Sequence, residues 1–426
     1  MELLPEEQLE FERIKSIIAE EYRRFGFTPL DTPVIERTET LLAKAGGETE
    51  KQMYRFNKGD TDLSLRFDLT VPLARYVAEH FNDLTFPFKR QQIGKVYRGE
   101  RSQKGRFREF YQCDIDVIGR DNLSIFYDAE MPAVIYSIFK RLDFGKFTIR
   151  LNNRKILSGF LENINATDLS ADVLRIIDKS EKISKEDMLA ELQRIGLDER
   201  QIEALLRLTA LRGQPDVVVP ALQSFGIKND LFQSGVDELV AVTHAMQSMG
   251  VLADYFVIDV SIARGLDYYT GTIYETTLDG YPGLGSVCSG GRYDNLTKYY
   301  TEQTLPGVGV SIGLTRLFHQ LQEAGIVQKR TQSALDVLVL PLGPEQALAA
   351  LQAARQLRAS SLNTDVLLQD ISTKNRFKYA DRTAVESVIV IGEEEAASGQ
   401  LTLQNMVSGS KEKLSIEQII TRLHPH

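Results

Sequence analysis

Apolar and polar positions alternate along this chain with periods that change, and each change marks a segment. From Pro5 to Phe25 the apolar residues Phe11, Ile14, Ile17, Ile18, Tyr22 and Phe25 recur at spacings of three and four, predicting an amphipathic helix that Gly26 ends. The next stretch, FTPLDTPVIE, is extended, because each proline disfavours helical backbone at the residue before it. Between Leu63 and Val117 short strands alternate with polar turns, and after Gly105 the period is two. Phe107, Glu109, Tyr111, Cys113, Ile115 and Val117 then share one strand face, and Arg108, Phe110, Gln112, Asp114 and Asp116 share the other. The second face suits a core poorly and the floor of a polar pocket well.

From about 165 to 250 the pattern becomes that of short helices, with start signals at Ser184 (Asp187 three residues on) and Asp198 (Gln201 three residues on), and Gly196 as a stop between them. This block reads as a helical insertion. Strand signals resume at DYFVIDVSIARG and continue through TGTIYETTL, GYPGLGSVCSGGRYD and GVGVSIGLTRLF, where a strand runs into a helix. The polar segment LQEAGIVQKRTQSA interrupts them, which puts a domain boundary near Thr331. Beyond it, ALDVLVLPLG, a helix-period run from Glu345 to Arg358, TDVLLQ, a helix near RFKYADRTA and SVIVIG alternate as strand and helix. That alternation predicts a small α/β domain over 331–426, after a larger domain over 1–330.

Composition adds bounds. At 426 residues the chain exceeds the size at which one core keeps growing, so more than one domain is expected. Hydrophobic residues at 43% and charged residues at 26% match a folded globular protein. No apolar run approaches the ~20 residues of a membrane span, and the acidic start MELLPEEQLEFERIK lacks a signal-peptide core, so a cytoplasmic protein with no membrane partner is the expectation. Two cysteines and five histidines show no ligand spacing, and no metal site is expected from them. The net charge of -9 argues against a body coated in nucleic acid but leaves room for a local basic surface.

Such a surface is encoded in KVYRGERSQKGRFREFYQ, where Lys95, Arg98, Arg101, Lys104, Arg106 and Arg108 face Glu100 and Glu109. Two strands joined by this turn would set several guanidinium forks around one cavity, a geometry suited to phosphate oxygens. In isolation the same run also fits a solvated hairpin. Upstream, SLRFDLTVPLARY offers Asp68 and Thr70 on one side of a strand, able to hold an ammonium group or to cap a turn. The glycines of GLGSVCSGGRYD permit close backbone approach to a ligand, or an ordinary tight turn. No GxxxxGK[ST] loop is present, so a bound nucleotide would rely on arginine side chains. Arg316, at a strand-to-helix transition, could face solvent or a cleft, and so could Arg264, which has Asp267 to orient it and the Tyr268–Tyr269 pair as an apolar wall.

The order of these pieces resembles the class II aminoacyl-tRNA synthetases and, among them, the histidyl-tRNA synthetase family. GFTPLDTPVI looks like the first class II motif, VYRGERSQKGRFREFYQ like the second and GVGVSIGLTRLF like the third. RGLDYYTGTIYE, SLRFDLT and SGGRYD resemble signatures specific to histidine, and RFKYADR resembles the family's anticodon-binding module. The resemblance implies an α+β catalytic domain with an antiparallel six-stranded sheet flanked by helices, a homodimer formed through the first motif, and a C-terminal anticodon-binding α/β domain. It implies that histidine attacks the α-phosphate of ATP, used with Mg2+, and that tRNA(His) takes the histidyl group from the adenylate. It places Arg98 and Arg264 on the α-phosphate and substrate carboxylate, Arg264 standing where other class II enzymes hold a metal ion. Arg106 and Arg316 are placed on the outer phosphates and Phe110 on adenine. Asp68, Leu69 and Thr70 fall at the ammonium group, Gln112 at substrate positioning, and Asp116, Tyr268 and Tyr269 at the imidazole. Gln103 would meet the acceptor end of the tRNA, and the basic face of Lys374, Arg376 and Lys378 its anticodon stem. An alternative with the same fold is the non-catalytic regulatory subunit of ATP phosphoribosyltransferase, whose relatives typically lose the motif arginines and the anticodon domain.

Overall fold

The structure, a computed structural model, describes residues 2–42, 47–100, 105–178, 183–262, 269–294, 296–327 and 333–424. Two compact units are formed, one within Arg13–Val327 and the other within Gln328–His426 together with Glu2–Glu12. The first helix, α1 (Pro5–Arg24), follows its apolar spacing: Ile14, Ile18 and Tyr22 are completely buried. It ends before Gly26, whose φ of +80° is a left-handed conformation that costs glycine nothing.

The larger unit is organised by a sheet of β1 (Thr28–Pro29), β2 (Phe88–Tyr97), β3 (Glu109–Ile118), β4 (Phe147–Asn153), β5 (Arg212–Gly213), β6 (Phe256–Asp259), β7 (Thr272–Leu278), β8 (Ser286–Tyr293) and β9 (Gly307–Ile312). Its strand order is β1-β2-β3-β9-β8-β7-β4-β6-β5. The expectation of six antiparallel strands is therefore corrected: among the described residues the sheet has nine and is mixed. The stretch from β2 to β4 is antiparallel throughout, while β1 joins β2 in parallel and β6 joins β4 in parallel. β1 and β5 have only two residues each, too few to display a period of two. Pro29 has no N–H to donate, which suits an edge strand.

The two faces of the central strands differ as the alternation in β3 requires. Cys113, Ile115 and Val117 on β3 lie opposite Ile312, Val310 and Val308 on β9, and all six are at most 4% exposed. This apolar face meets α1, where Tyr22 Oη donates to the Cys113 carbonyl at 2.9 Å. Other members of the Phe11–Phe25 stripe, such as Ile17, are only partly buried. On the opposite face Asp114 stands across from Ser311, Ser311 from Ser289, Ser289 from Glu275 and Glu275 from Arg150. A polar row thus crosses the middle of the sheet.

Asp68 and Thr70 do not lie on a strand as read from the sequence. The strand Thr61–Leu65 ends before them, and Thr70 opens helix α2 (Thr70–Glu79). Helix α3 (Phe126–Leu142) is tied to the sheet by a buried ion pair, Asp128 Oδ1 to Arg292 Nη2 at 2.6 Å, and by Tyr274 Oη donating to the Asp128 carbonyl. Between β4 and β6 the chain is largely helical, ending in α4 (Asp230–Ser248). Both helix starts read from sequence form there. Ser184 Oγ accepts from the Asp187 N–H, and Asp198 and Gln201 complete a reciprocal capping box.

The last helix of this unit is α5 (Leu314–Glu323). The C-terminal unit has a five-stranded sheet of β10 (Val337–Pro341), β11 (Thr364–Val366), β12 (Ser387–Ile391), β13 (Leu401–Asn405) and β14 (Lys411–Leu414) in the order β11-β10-β12-β13-β14. β10, β11 and β12 are parallel, and an antiparallel hairpin extends them. Helices α6 (Ala347–Ala359), α7 (Thr373–Arg382) and α8 (Ile416–Leu423) belong to this unit, with apolar clusters on both sheet faces. The near-continuous apolar run Val337–Leu340 is what burial on both faces demands.

Candidate functional site

A cavity of about 410 Å³ opens over the polar face of the sheet. Its floor comes from β3 and β9, one wall from the β2–β3 hairpin, another from the Asp68 turn, and a third from β8 and the start of α5. The structure brings together on it Asp68, Thr70, Arg98, Arg106, Phe110, Gln112, Tyr269 and Arg316. Residues scattered from 68 to 316 meet here because the antiparallel strands run back and forth under one opening.

The cations are arranged for anions. The Arg98 guanidinium lies 4.3 Å from the Phe67 ring centre and 5.1 Å from that of Phe110, and its Nε donates to the Phe67 carbonyl at 3.2 Å. Aromatic faces restrain the plane of the fork without neutralising it. Arg106 Nη1 pairs with Glu100 Oε2 at 2.8 Å, and both residues border the cavity. Arg316 sits in the first turn of α5 beside Gly313, where helix N–H groups add partial positive charge.

The carboxylates are more buried than the cations. Asp68 Oδ1 accepts from the Val71 N–H at 3.0 Å, so this residue both caps the entry to α2 and borders the cavity. Burial raises its pKa, against the Val71 hydrogen bond and the Arg98 charge. Gln112 Nε2 donates to Ser311 Oγ at 3.0 Å, and Ser311 Oγ donates to Asp114 Oδ1 at 2.5 Å. Burial pushes the Asp114 pKa up to about 7, with Arg90 opposing the shift and Asp116 adding to it.

Two residues expected at the site stand apart from its wall. Leu69 is fully buried, and its carbonyl accepts from Arg90 Nη2 at 3.2 Å. Asp116, 3% exposed, pairs with Arg90 at 2.8 Å and accepts from Tyr293 Oη at 2.7 Å. Gly309 faces it across the sheet, where a side chain would begin 2.2 Å from Asp116 Oδ1. Gly291, next along, leaves room for the Tyr269 ring, 2.9 Å from where its Cβ would be. Gly290 and Gly291 thus lie in a strand that lets side chains lie across it, while Gly283 and Gly285 form a tight turn ahead of it, Gly285 at a φ of +65°. Arg264, Tyr268 and Gln103, with Asp267 and Thr331, lie outside the described residues.

The sequence does not single out Phe67 or Ser311, marks Glu100 only as a counter-charge in the basic hairpin, and puts Asp114 on the polar strand face without a role of its own. For Asp114 a signal existed, since it shares the polar strand face with Gln112. Phe67 and Ser311 carry no local mark, and only the fold brings them to Arg98 and Asp114.

In the C-terminal unit, Lys374 and Lys378 on α7 are exposed, whereas Arg376 is 2% exposed. Arg376 Nη1 donates to the Leu367 carbonyl at 3.2 Å, and Nη2 lies 3.7 Å from Asp370. The expected three-residue basic face is corrected to one of lysines, with Arg376 turned inward. On a helix, residues four apart share a face and residues two apart do not, so Arg376, midway between Lys374 and Lys378, need not share theirs.

Residues 1–317 match the family profile described as histidyl-tRNA synthetase, and residues 336–425 match that of an anticodon binding domain. Among curated proteins, the histidine–tRNA ligase of Clostridium tetani is 53% identical, covering 99% of this chain and 95% of its own. That of Finegoldia magna is 46% identical, with coverage of 99% and 97%. Among solved structures, a histidyl-tRNA synthetase from Nostoc sp. PCC 7120 aligns with a TM-score of 0.91 at 38% identity, covering 99% of this chain and 97% of that one. A Bacillus halodurans structure described as an ATP phosphoribosyltransferase regulatory subunit/histidyl-tRNA synthetase aligns at 0.77 with 21% identity, covering 92% and 96%, a likeness of fold alone.

Proposed function

The chain belongs to the histidyl-tRNA synthetase family, a class II aminoacyl-tRNA synthetase family, and we propose how its cavity carries out the reaction. The protein is a ligase that joins histidine to tRNA(His) at the expense of ATP. The observation that carries the site reading is one cavity bordered by Arg98, Arg106 and Arg316, by the Phe110 ring and by the carboxylates of Asp68 and Asp114. Triphosphate and carboxylate need the first group, adenine the second, and the ammonium and imidazole N–H groups the third.

The substrate carboxylate attacks the α-phosphorus, the P–O bond to pyrophosphate breaks, and a mixed anhydride forms. The carboxylate is already ionised, so no general base is needed for this step. Arg98 takes the α-phosphate and the carboxylate, with Arg264 as a second built-in cation. Arg106 and Arg316 hold the departing phosphates, and Phe110 stacks on adenine. Fixed cations in a partly desolvated cleft stabilise the charge that builds on the phosphorus oxygens. The terminal ribose hydroxyl of the tRNA then attacks the acyl carbon and AMP leaves.

Asp68, Leu69 and Thr70 receive the ammonium end, Leu69 through its backbone, and Gln112 positions the substrate. Asp116, with Tyr268 and Tyr269, is assigned to the imidazole. Mg2+ enters as part of the ATP substrate, its charge offset by phosphate oxygens. Among the described residues no group of His, Cys, Asp and Glu is gathered to hold a metal.

Catalysis is assigned to residues 1–330 and anticodon recognition to 331–426, with Gln103 at the acceptor end and Lys374 and Lys378 on the anticodon stem. The active form is assigned as a cytoplasmic homodimer joined through α1 and β1. Among the described residues no helix is long and apolar enough to cross a membrane.

The test is exchange of labelled pyrophosphate into ATP. It is expected to require histidine, and the same enzyme is expected to charge tRNA(His). A folded preparation that shows neither activity would sink the reading, and would be the behaviour of a regulatory subunit.

A further inference from the structure

Ser311 bridges Asp114 and Gln112. Its Oγ lies 2.5 Å from Asp114 Oδ1 and 3.0 Å from Gln112 Nε2, and all three residues border the cavity. The direction of these bonds follows from what each group can do. An ionised carboxylate only accepts, so the single Ser311 proton goes to Asp114. The Ser311 oxygen can then only accept, which requires Gln112 to turn its NH2 toward it. The Gln112 carbonyl oxygen is left as the other end of the amide, and Gln112 Oε1 is a buried atom with no hydrogen-bond partner among the described residues. A buried acceptor without a donor is unfavourable, so a ligand that brings a donor is favoured there.

We propose that Asp114 is a positioning residue for amino-acid recognition: through Ser311 it fixes the Gln112 amide so that an oxygen, not an NH2, is offered to an N–H donor of the bound substrate. This inference rests on the reading of the cavity as the histidine site, and it gives Asp114 and Ser311 a role that the motif resemblance does not assign. The reverse direction, with Ser311 donating to Gln112, would turn the amide over and set its NH2 against the substrate ammonium. Asp114 forbids that state as long as it is ionised.

The local charges bear on when it is ionised. Arg90 on β2 favours the carboxylate, but it is held by Asp116 at 2.8 Å. Asp116 on β3 and Asp68 ahead of α2 disfavour it, and Cys288 on β8, Cys113 on β3 and Tyr22 on α1 are the other titratable groups in its field. With burial pushing its pKa up to about 7, Asp114 gains a proton as the pH falls through that value. The neutral acid can donate to Ser311, and the amide is then no longer held one way.

The experiment measures KM for histidine and for ATP in pyrophosphate exchange with the full-length enzyme, comparing wild type, Asp114→Asn, Ser311→Ala, Ser311→Thr and the double variant Asp114→Asn/Ser311→Ala. Asp114→Asn and Ser311→Ala are each expected to raise the histidine KM about 10-fold or more, the scale of one hydrogen bond to a charged group. The ATP KM is expected to stay within about twofold, Ser311→Thr to remain near wild type, and the double variant to be no worse than the poorer single, as for residues acting in one chain. From pH 8 to 6 the wild-type histidine KM should rise more than that of Asp114→Asn, whose side chain does not titrate. A wild-type histidine KM in either single variant, an equal rise for both substrates, or additive losses in the double variant overturns the relay. If Asp114→Asn does not fold by circular dichroism, the Ser311→Ala and Ser311→Thr pair decides alone. Absence of histidine-dependent exchange in wild type would instead remove the functional reading beneath it.

Discussion

Arg90 and Asp116 form an ion pair of 2.8 Å in which neither side chain is more than 4% exposed. The pair crosses from β2 to β3, where the two residues are directly opposed, and Tyr293 supplies a second hydrogen bond to the carboxylate. Burial raises the Asp116 pKa while Arg90 and Tyr293 oppose that shift. Removing the cation leaves a buried charge without its partner. Arg90→Leu is therefore expected to destabilise the catalytic unit by about 3–5 kcal/mol, and Arg90→Leu/Asp116→Leu to recover much of it. Urea denaturation of the three proteins reads this directly. Equal stability of Arg90→Leu and wild type would mean the pair is not closed in solution.

With Arg90 held by Asp116, Asp114 carries a charge that the free protein tolerates poorly. Its pKa rises from the ordinary 3.8 to about 7, so between those values the folded protein holds a proton that the unfolded chain has lost. Stability from this group consequently falls as the pH rises through that window and is lowest above it. A shift of this size corresponds to roughly 4 kcal/mol at pH 8. Asp114→Asn is expected to raise the urea midpoint of the ligand-free enzyme at pH 8, the gain shrinking toward zero as the pH falls from 7 to 4. An identical gain at both ends of that range would remove ionisation as the cause.

Arg98 lies against two aromatic rings, which fix its plane, and it is assigned to the atoms that change charge in the first step. Arg98→Ala is expected to lower the exchange rate by about 100-fold or more, the usual loss for one preorganised donor at a developing charge. Arg98→Lys is expected to recover little, since an ammonium cannot copy a planar fork. Steady-state exchange at saturating histidine and ATP measures both. A loss in KM alone, with the maximal rate unchanged, would place Arg98 in uniform binding.

Much of this site was legible in the sequence, and the gaps have physical causes. Strict alternation in β3 puts Phe110, Gln112 and Asp114 on one face, because the pleat allows no other arrangement. Alternation cannot say how far along that face the cavity extends. Asp116 shares the face of Gln112 yet meets Arg90, a residue with no local mark of its importance. The Asp68–Thr70 pair reads as one side of a strand or as a turn cap, because a short apolar-polar alternation ahead of a helix looks the same in either backbone, and the cap is what forms. β1 falls in the stretch that its prolines mark as extended, whereas β5 has only two residues inside a block that reads as helices, too few to show a period of two.

Gly309 marks how tightly that inner floor is built. It lies opposite Asp116, and an added Cβ would meet Asp116 Oδ1 at 2.2 Å and the Ile115 carbonyl at 2.6 Å. The backbone neighbour cannot yield as a flexible side chain would. Gly309→Ala is expected to destabilise by about 1–3 kcal/mol, the range for overpacking a close-packed site, and to disturb the Arg90 pair with it. The thermal midpoint of the variant checks the first expectation, and a reduced penalty in Gly309→Ala/Asp116→Ala checks that the clash is with this carboxylate.

Helix α7 carries exposed and buried cations within a few residues. Lys374 and Lys378 are exposed, while Arg376 is buried and donates to the Leu367 carbonyl, with Asp370 3.7 Å away. Of the three residues assigned to the tRNA, the two lysines are exposed and Arg376 is not. Lys374→Glu/Lys378→Glu is expected to weaken tRNA charging and its salt dependence while leaving histidine-dependent pyrophosphate exchange within about twofold, because each phosphate contact adds to the salt slope. Arg376→Ala is expected to lower the stability of the C-terminal unit by a few kcal/mol, since it removes the donor from a buried carbonyl and a large side chain from the interior. Charging assays at two salt concentrations, beside thermal melts, distinguish the two roles. Loss of charging in Arg376→Ala with an unchanged melt and an altered salt slope would instead put that arginine on the tRNA.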